Sequence, residues 1–145
     1  MKQYIDAPIE RVYAAYVDPA LLPRWMGIQA ITDVSGPLDR PGTTFTEVVF
    51  GPYRPRSEVL AAEPPTLHDM TGRSLFGLGY RWIAHFVKSD DGTEVTLDAE
   101  ALLPGLLGRL LRRSLAGGAM ERRLQTRLVV FRDLAQAELA NGGRT

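Results

Sequence analysis

The feature that most constrains the fold of this chain is a long amphipathic stretch near its C-terminal end, residues 119–139. When these residues are placed at about 100° per residue, the apolar side chains fall within one arc of roughly 140°. The arc is formed by Met120, Leu124, Leu128, Phe131, Leu134, Ala135 and Leu139. Arg127 is charged and lies inside this arc. A stripe this wide predicts a helix that packs against a second layer of structure.

Charge and composition exclude several classes of function. Lys+Arg and Asp+Glu both total 17, so nothing electrostatic favours nucleic acid or an anionic membrane as a partner. The chain has no cysteine, and its two histidines, His68 and His85, are too far apart for metal-ligand spacing. We therefore expect neither a metal nor a cofactor.

Length and hydropathy predict one domain over residues 1–145. No apolar run approaches the ~18 residues of a transmembrane helix, and the first residues lack the apolar core of a signal peptide. We expect a cytoplasmic protein without stable membrane insertion.

The order of predicted elements indicates an α+β fold. Residues 2–5 form a first strand, and Asp6 before Ala7-Pro8 is a candidate cap for a first helix. Asp18 could cap a second, short helix that ends near Trp25. Six further strands are predicted at residues 27–35, 43–50, 56–63, 67–73, 80–88 and 93–103. Strands followed by a long helix predict an antiparallel sheet with segregated helices.

The last two strands form the best-defined hairpin. Asp91-Gly92 is a type I′ turn signal, and a two-residue loop there pairs Phe86 with Leu97. This register places His85 and Asp98 on the outer face, as a surface pair rather than a catalytic base. The predicted inner face consists of Tyr80, Trp82, Ala84, Phe86, Val95, Leu97 and Ala99.

Strand 43–50 can present either of two faces to the interior. One face carries Phe45, Glu47 and Val49, and the other carries Thr44, Thr46, Val48 and Phe50. If the first face is inner, Glu47 is a pocket carboxylate with a raised pKa. The pattern does not distinguish these alternatives.

Three stretches resemble a known superfamily. The first, residues 5–25, contains Ile5-Asp6-Ala7-Pro8 and ends at Pro23-Arg24-Trp25. The second is Glu58-Val59 followed by residues 63–65, and the third runs from residue 104 to 138. Their order and spacing resemble the START-like (Bet v 1-like) superfamily, in its polyketide cyclase/dehydrase and lipid-transport branch.

The resemblance implies a helix-grip fold, in which a curved antiparallel sheet of about seven strands wraps the C-terminal helix. Two short helices follow the first strand, and an apolar cavity lies between sheet and long helix. Members of the superfamily bind lipids, sterols, polyketides or other apolar small molecules, and some catalyse cyclisation or dehydration. They share no catalytic motif, so the resemblance implies no catalytic residues here.

We expect binding, transport or sensing of a small hydrophobic molecule such as a lipid, polyketide or aromatic compound, with Arg127 as its polar anchor. The predicted lining is Trp25, Tyr80, Trp82, Phe86, Leu124, Arg127, Leu128 and Phe131. A polyketide-type aromatase/cyclase is a second hypothesis, for which Arg127, Glu47 and Tyr80 are the candidate acids and bases. A protein-interaction module with a filled cavity is the third.

Overall fold

Seven antiparallel strands curl into a half-barrel sheet that grips a long C-terminal helix in the computed structural model, which describes residues 1–75, 77–105 and 119–141. The strands are β1 Lys2–Ile5, β2 Ala30–Thr32, β3 Thr44–Val48, β4 Arg56–Glu63, β5 Leu67–Arg73, β6 Gly79–Ser89 and β7 Gly92–Leu102. The helices are α1 Ile9–Tyr16, α2 Leu22–Met26 and α3 Ala119–Asn141. The sheet order is β1-β7-β6-β5-β4-β3-β2. The predicted α+β helix-grip fold is confirmed.

The two short helices begin differently from the prediction. Pro8 precedes α1, and no side chain caps that helix, so the predicted role of Asp6 is wrong. The Asp18 carboxylate accepts a hydrogen bond from the Ala20 N–H at 2.7 Å and organises the turn before α2. Because α2 begins only at Leu22, Asp18 starts the turn and does not cap the helix itself.

The β6–β7 hairpin is displaced by two residues from the predicted register. Ser89 pairs with Gly92, so the loop is Asp90-Asp91, and Asp90 takes a positive φ of 42°. Phe86 consequently pairs with Val95 instead of Leu97. Side chains alternate with a period of two, so a slip of two residues leaves every side chain on its predicted face.

Burial along β3 shows which of its two faces is turned inward. Phe45 and Glu47 are buried, whereas Thr44 and Thr46 are half-buried. Glu47 therefore points toward the helix side of the sheet, and the alternative with the threonines inside is wrong.

The core lies between α3 and the sheet. Leu124, Leu128, Phe131 and Ala135 are buried along the helix, as its apolar stripe predicts. The leucine- and arginine-rich connector at residues 104–118, whose sequence predicts a short helix or helical turns, lies outside the described residues from residue 106 onward, as does the side chain of Met120.

Candidate functional site

A pocket of about 270 Å³ opens between the sheet, the end of α2 and the first described turns of α3. Its walls are mostly apolar, with one carboxyl, two guanidinium groups and two phenols among them. The lining comprises Met26, Gly27, Ile28, Glu47, Val49, Tyr53, Pro55, Tyr80, Trp82, Arg123, Leu124 and Arg127. This volume lies just below the roughly 300–1,000 Å³ that is typical of ligand sites in proteins.

The structure brings four of the eight predicted lining residues together at this pocket. These are Tyr80, Trp82, Leu124 and Arg127.

The other four predicted residues lie in the packed core behind the pocket. The Trp25 ring stacks on Tyr16 with ring centroids 4.7 Å apart and also approaches Phe131. Phe86 packs edge-on against Tyr16, and Leu128 is fully buried. All four side chains are buried in the core, and none of them lines the pocket.

Glu47 is the polar centre of the sheet wall. Its side chain is only 2% exposed, and both Ser57 and Tyr80 donate hydrogen bonds to the same carboxyl oxygen, Oε1. The Ser57 bond is 2.5 Å long. Among the described residues, no donor reaches the second oxygen, Oε2. The carboxyl thus has one satisfied oxygen and a free one in a residue that lines the pocket.

A glycine in the middle of β5 makes this arrangement possible. Gly72 stands opposite Ser57 on β4 and Tyr80 on β6. A Cβ at Gly72 would lie 2.5 Å from Cε1 of the Tyr80 ring and 2.8 Å from the Ser57 hydroxyl. The missing side chain lets the Tyr80 ring lean across β5 and reach Glu47. A glycine in the interior of a strand often marks such a close approach. Gly72 is therefore the sequence signal from which the contact of Tyr80 with Glu47 could have been predicted.

Burial governs the protonation of this group. Desolvation raises the pKa of Glu47, while the hydrogen bonds from Ser57 and Tyr80 oppose that rise. Desolvation also raises the pKa of Tyr80 well above its ordinary value, and the nearby Glu47 charge raises it further. Tyr80 therefore stays a hydrogen-bond donor, and the charged form of Glu47 is disfavoured.

The helix wall of the pocket is cationic. Arg123 and Arg127 are four residues apart on α3, so their side chains share one face. The Arg127 guanidinium lies against the backbone of Gly27, which ends α2 in a left-handed conformation with φ +68°. Among the described residues, neither arginine forms a salt bridge with Glu47.

Three buried polar atoms lie in the aromatic core next to the pocket. The Tyr16 hydroxyl, Trp25 Nε1 and His68 Nδ1 have no hydrogen-bond partner among the described residues. His68 Nε2 lies 2.8 Å from the Leu38 carbonyl, and burial lowers the pKa of this histidine. Neutral His68 therefore belongs to the packed interior and does not reach the pocket.

In the described part of the chain, no group of histidine and acidic residues is arranged to hold a metal ion. No described helix is both long and apolar enough to cross a membrane.

The sheet that grips a helix, with a pocket between the two, defines a helix-grip protein. The chain belongs to the polyketide cyclase / dehydrase and lipid transport family, which matches residues 1–136. The family resemblance seen in the sequence is confirmed. No curated protein matches the chain.

Solved structures share this fold. TTHA0849 from Thermus thermophilus is 21% identical, with a TM-score of 0.70 over 95% of this chain and 96% of that one. Protein NE0264 from Nitrosomonas europaea is 20% identical, with a TM-score of 0.70 over 97% and 94% of the two chains. The Bet v 1-like Ara h 8.0201 is 14% identical, with a TM-score of 0.65 over 94% and 95%. Family and fold together support ligand binding in general.

Proposed function

We propose that this protein binds a small hydrophobic molecule in the pocket between the sheet and α3, as a carrier or sensor. The observation that carries the proposal is the open volume of about 270 Å³ behind mostly apolar walls. Burial of apolar ligand surface there is worth roughly 25 cal/mol per Å² before ordering costs. The family description, which includes lipid transport, supports the same class of ligand.

Different lining residues supply the apolar and the polar contacts to the ligand. Trp82 and Leu124 supply apolar contact, and Arg127 supplies a polar anchor at the helix. Arg127 is half-buried, so a carboxylate bonded to it is partly protected from water. Trp25, Phe86, Leu128 and Phe131 keep these walls in place from the core side.

The test combines native mass spectrometry with a pocket-filling variant. Native spectra of the purified protein would show a co-purifying small molecule directly. Fluorescence of the neutral apolar probe N-phenyl-naphthylamine then measures occupancy, and Ile28→Trp should abolish probe binding because Ile28 lines the pocket.

Leu60→Trp is the matched control, since Leu60 is exposed on β4 and does not line the pocket. Probe binding that survives Ile28→Trp as well as Leu60→Trp would place the probe elsewhere and reject the proposal.

A second candidate function is proton transfer on a bound molecule, as in a cyclase or dehydratase. The observation that favours it is the hydrogen-bonded Glu47–Tyr80 pair inside the pocket, because a buried carboxyl with a raised pKa is suited to general acid–base work. A 1,3-diketone in deuterated water tests this: the protein should accelerate exchange of the protons between the two carbonyls. Glu47→Gln should return exchange to the buffer rate, and an unchanged rate would reject the catalytic role.

The third hypothesis, an interaction module with a filled cavity, requires a packed interior at this place. The open pocket beside Glu47 and Arg127 argues against it.

A further inference from the structure

The Glu47 carboxyl is accessible only from the pocket side. The side chain is 2% exposed, and Ser57 and Tyr80 occupy Oε1 from the sheet side. Among the described residues, Oε2 has no donor. Glu47 lines the pocket, so Oε2 is the carboxyl oxygen that a hydrogen-bond donor on a pocket occupant can reach.

The facing wall offers the opposite charge. Arg123 and Arg127 line the pocket from α3, and like charges at this spacing repel each other. An anion between or beside them relieves that repulsion and accepts charge-assisted hydrogen bonds. In the described structure no salt bridge joins either arginine to Glu47. The pocket therefore presents two separate polar poles: the Glu47 carboxyl on the sheet, and the guanidinium groups of the two arginines on α3.

The rest of the pocket wall is mostly apolar. Trp82, Leu124 and Met26 line it, and the Trp82 ring adjoins the Tyr80 ring at a centroid distance of 5.1 Å. A flat apolar body fits against this surface, and polar groups in the middle of a ligand would lose their hydration there without gaining a partner.

We propose that the pocket takes a small carboxylic acid that carries a hydroxyl at its far end, with the carboxylate against Arg127 and the hydroxyl against Glu47. This rests on the proposed ligand-binding function and names the chemical class of the ligand. The apolar body between the two groups packs on Trp82 and Leu124.

A hydroxyl suits Glu47 better than an ammonium does. Burial disfavours the charged form of Glu47, and a cation needs that charged form. A hydroxyl donates to Oε2 when Glu47 is ionised and accepts from it when Glu47 is protonated. A ligand hydroxyl can therefore hydrogen-bond to Glu47 whether its carboxyl is ionised or protonated.

Isothermal titration calorimetry with four related probes tests this. para-Hydroxyphenylpropanoate carries both poles, phenylpropanoate lacks the hydroxyl, para-propylphenol lacks the carboxylate, and para-aminomethyl-phenylpropanoate replaces the hydroxyl with an ammonium. The first should bind about tenfold more tightly than each of the others, which is the value of one retained hydrogen bond.

Two variants assign each pole to its residue. Glu47→Leu should remove the advantage of the hydroxyl and keep that of the carboxylate, and Arg127→Leu should reduce the advantage of the carboxylate only. Glu58→Leu and Arg122→Leu are matched controls at exposed positions of β4 and α3, and they should change neither advantage.

The outcomes separate this inference from the proposed function. If N-phenyl-naphthylamine binds but the hydroxylated acid gains nothing over phenylpropanoate, the inference is wrong and the function stands. Tighter binding of the ammonium probe would also overturn it. If neither the neutral probe nor any of the four acids and phenols binds, the function itself fails. The comparison of probes on the unmodified protein decides the matter even if Glu47→Leu does not fold.

Discussion

The position of the Arg127 guanidinium can be tested without any ligand, through the glycine on which it rests. Gly27 has a φ of +68°, and a Cβ built there would overlap the guanidinium. Gly42 has a φ of +84°, and a Cβ there would meet nothing within 4 Å. The backbone N–H groups of both glycines are hydrogen-bonded, to Pro23 and Val59 respectively. Gly27→Ala and Gly42→Ala should therefore both introduce backbone strain. Only Gly27→Ala should also introduce a clash with the Arg127 guanidinium.

The expected losses follow from these two contributions. Left-handed strain costs an alanine roughly 1–2 kcal/mol at either position. Displacing the guanidinium adds about 1 kcal/mol, a typical coupling between contacting residues. Gly27→Ala should therefore lower the free energy of unfolding by about 2–3 kcal/mol and Gly42→Ala by about 1–2 kcal/mol.

Urea unfolding of a double-mutant cycle measures the difference. In an Arg127→Ala background the clash is absent, so Gly27→Ala should cost only the strain, about 1–2 kcal/mol. The difference of about 1 kcal/mol corresponds to roughly 3 °C in Tm for a chain of this size. Equal losses for Gly27→Ala with and without Arg127, within the ~0.5 kcal/mol of ordinary additivity, would refute the packing of Arg127 on Gly27.

Three further predictions concern buried polar groups. Tyr80→Phe should cost about 1–2 kcal/mol because it breaks a bond to Glu47, whereas Tyr16→Phe removes an unpartnered hydroxyl and should cost nothing; equal losses in urea unfolding would contradict this. Because folding raises the pKa of Glu47 above 4.5, the folded state binds more protons and stability should fall as the pH rises from 4.5 through the folded pKa. Glu47→Gln should remove that slope, and an unchanged slope would refute its origin. Folding lowers the pKa of His68 from 6.5, so stability should fall as the pH drops from 6.5 through the folded pKa. His68→Gln should flatten this acid limb, and exposed His85→Gln should not; equal effects would assign the limb elsewhere.

The parts of the fold that depend on local periodicity were predictable from the sequence. The bounds of β4 and β5 and the buried stripe of α3 match the predictions, because alternation and helical spacing are properties of a single segment. The hairpin faces were also correct. Its register was wrong by two residues, because Asp90 takes the positive φ of the turn and Gly92 pairs with Ser89 as the first residue of β7.

The candidate site was less predictable because it depends on contacts between segments. Nothing within strand 43–50 says which of its two mixed faces turns inward, so Glu47 stayed undecided until β3 was placed between β2 and β4. Trp25 and Phe86 have the apolar character of pocket residues, yet whether a large side chain lines a void or fills one depends on its neighbours. Here Tyr16 fills the space between them.

The two walls differ in what they contribute to the fold and to the proposed ligand site. Most of the apolar stripe of α3 packs in the core, where Leu128 and Phe131 are buried. Only the first described turns of the helix face the pocket. The sheet, in contrast, joins Glu47, Ser57 and Tyr80 across β3, β4 and β6 over the gap left by Gly72 in β5. The helix stripe thus contributes mainly to the fold, and a conservative change such as Glu47→Gln should alter the choice of ligand while the fold is kept.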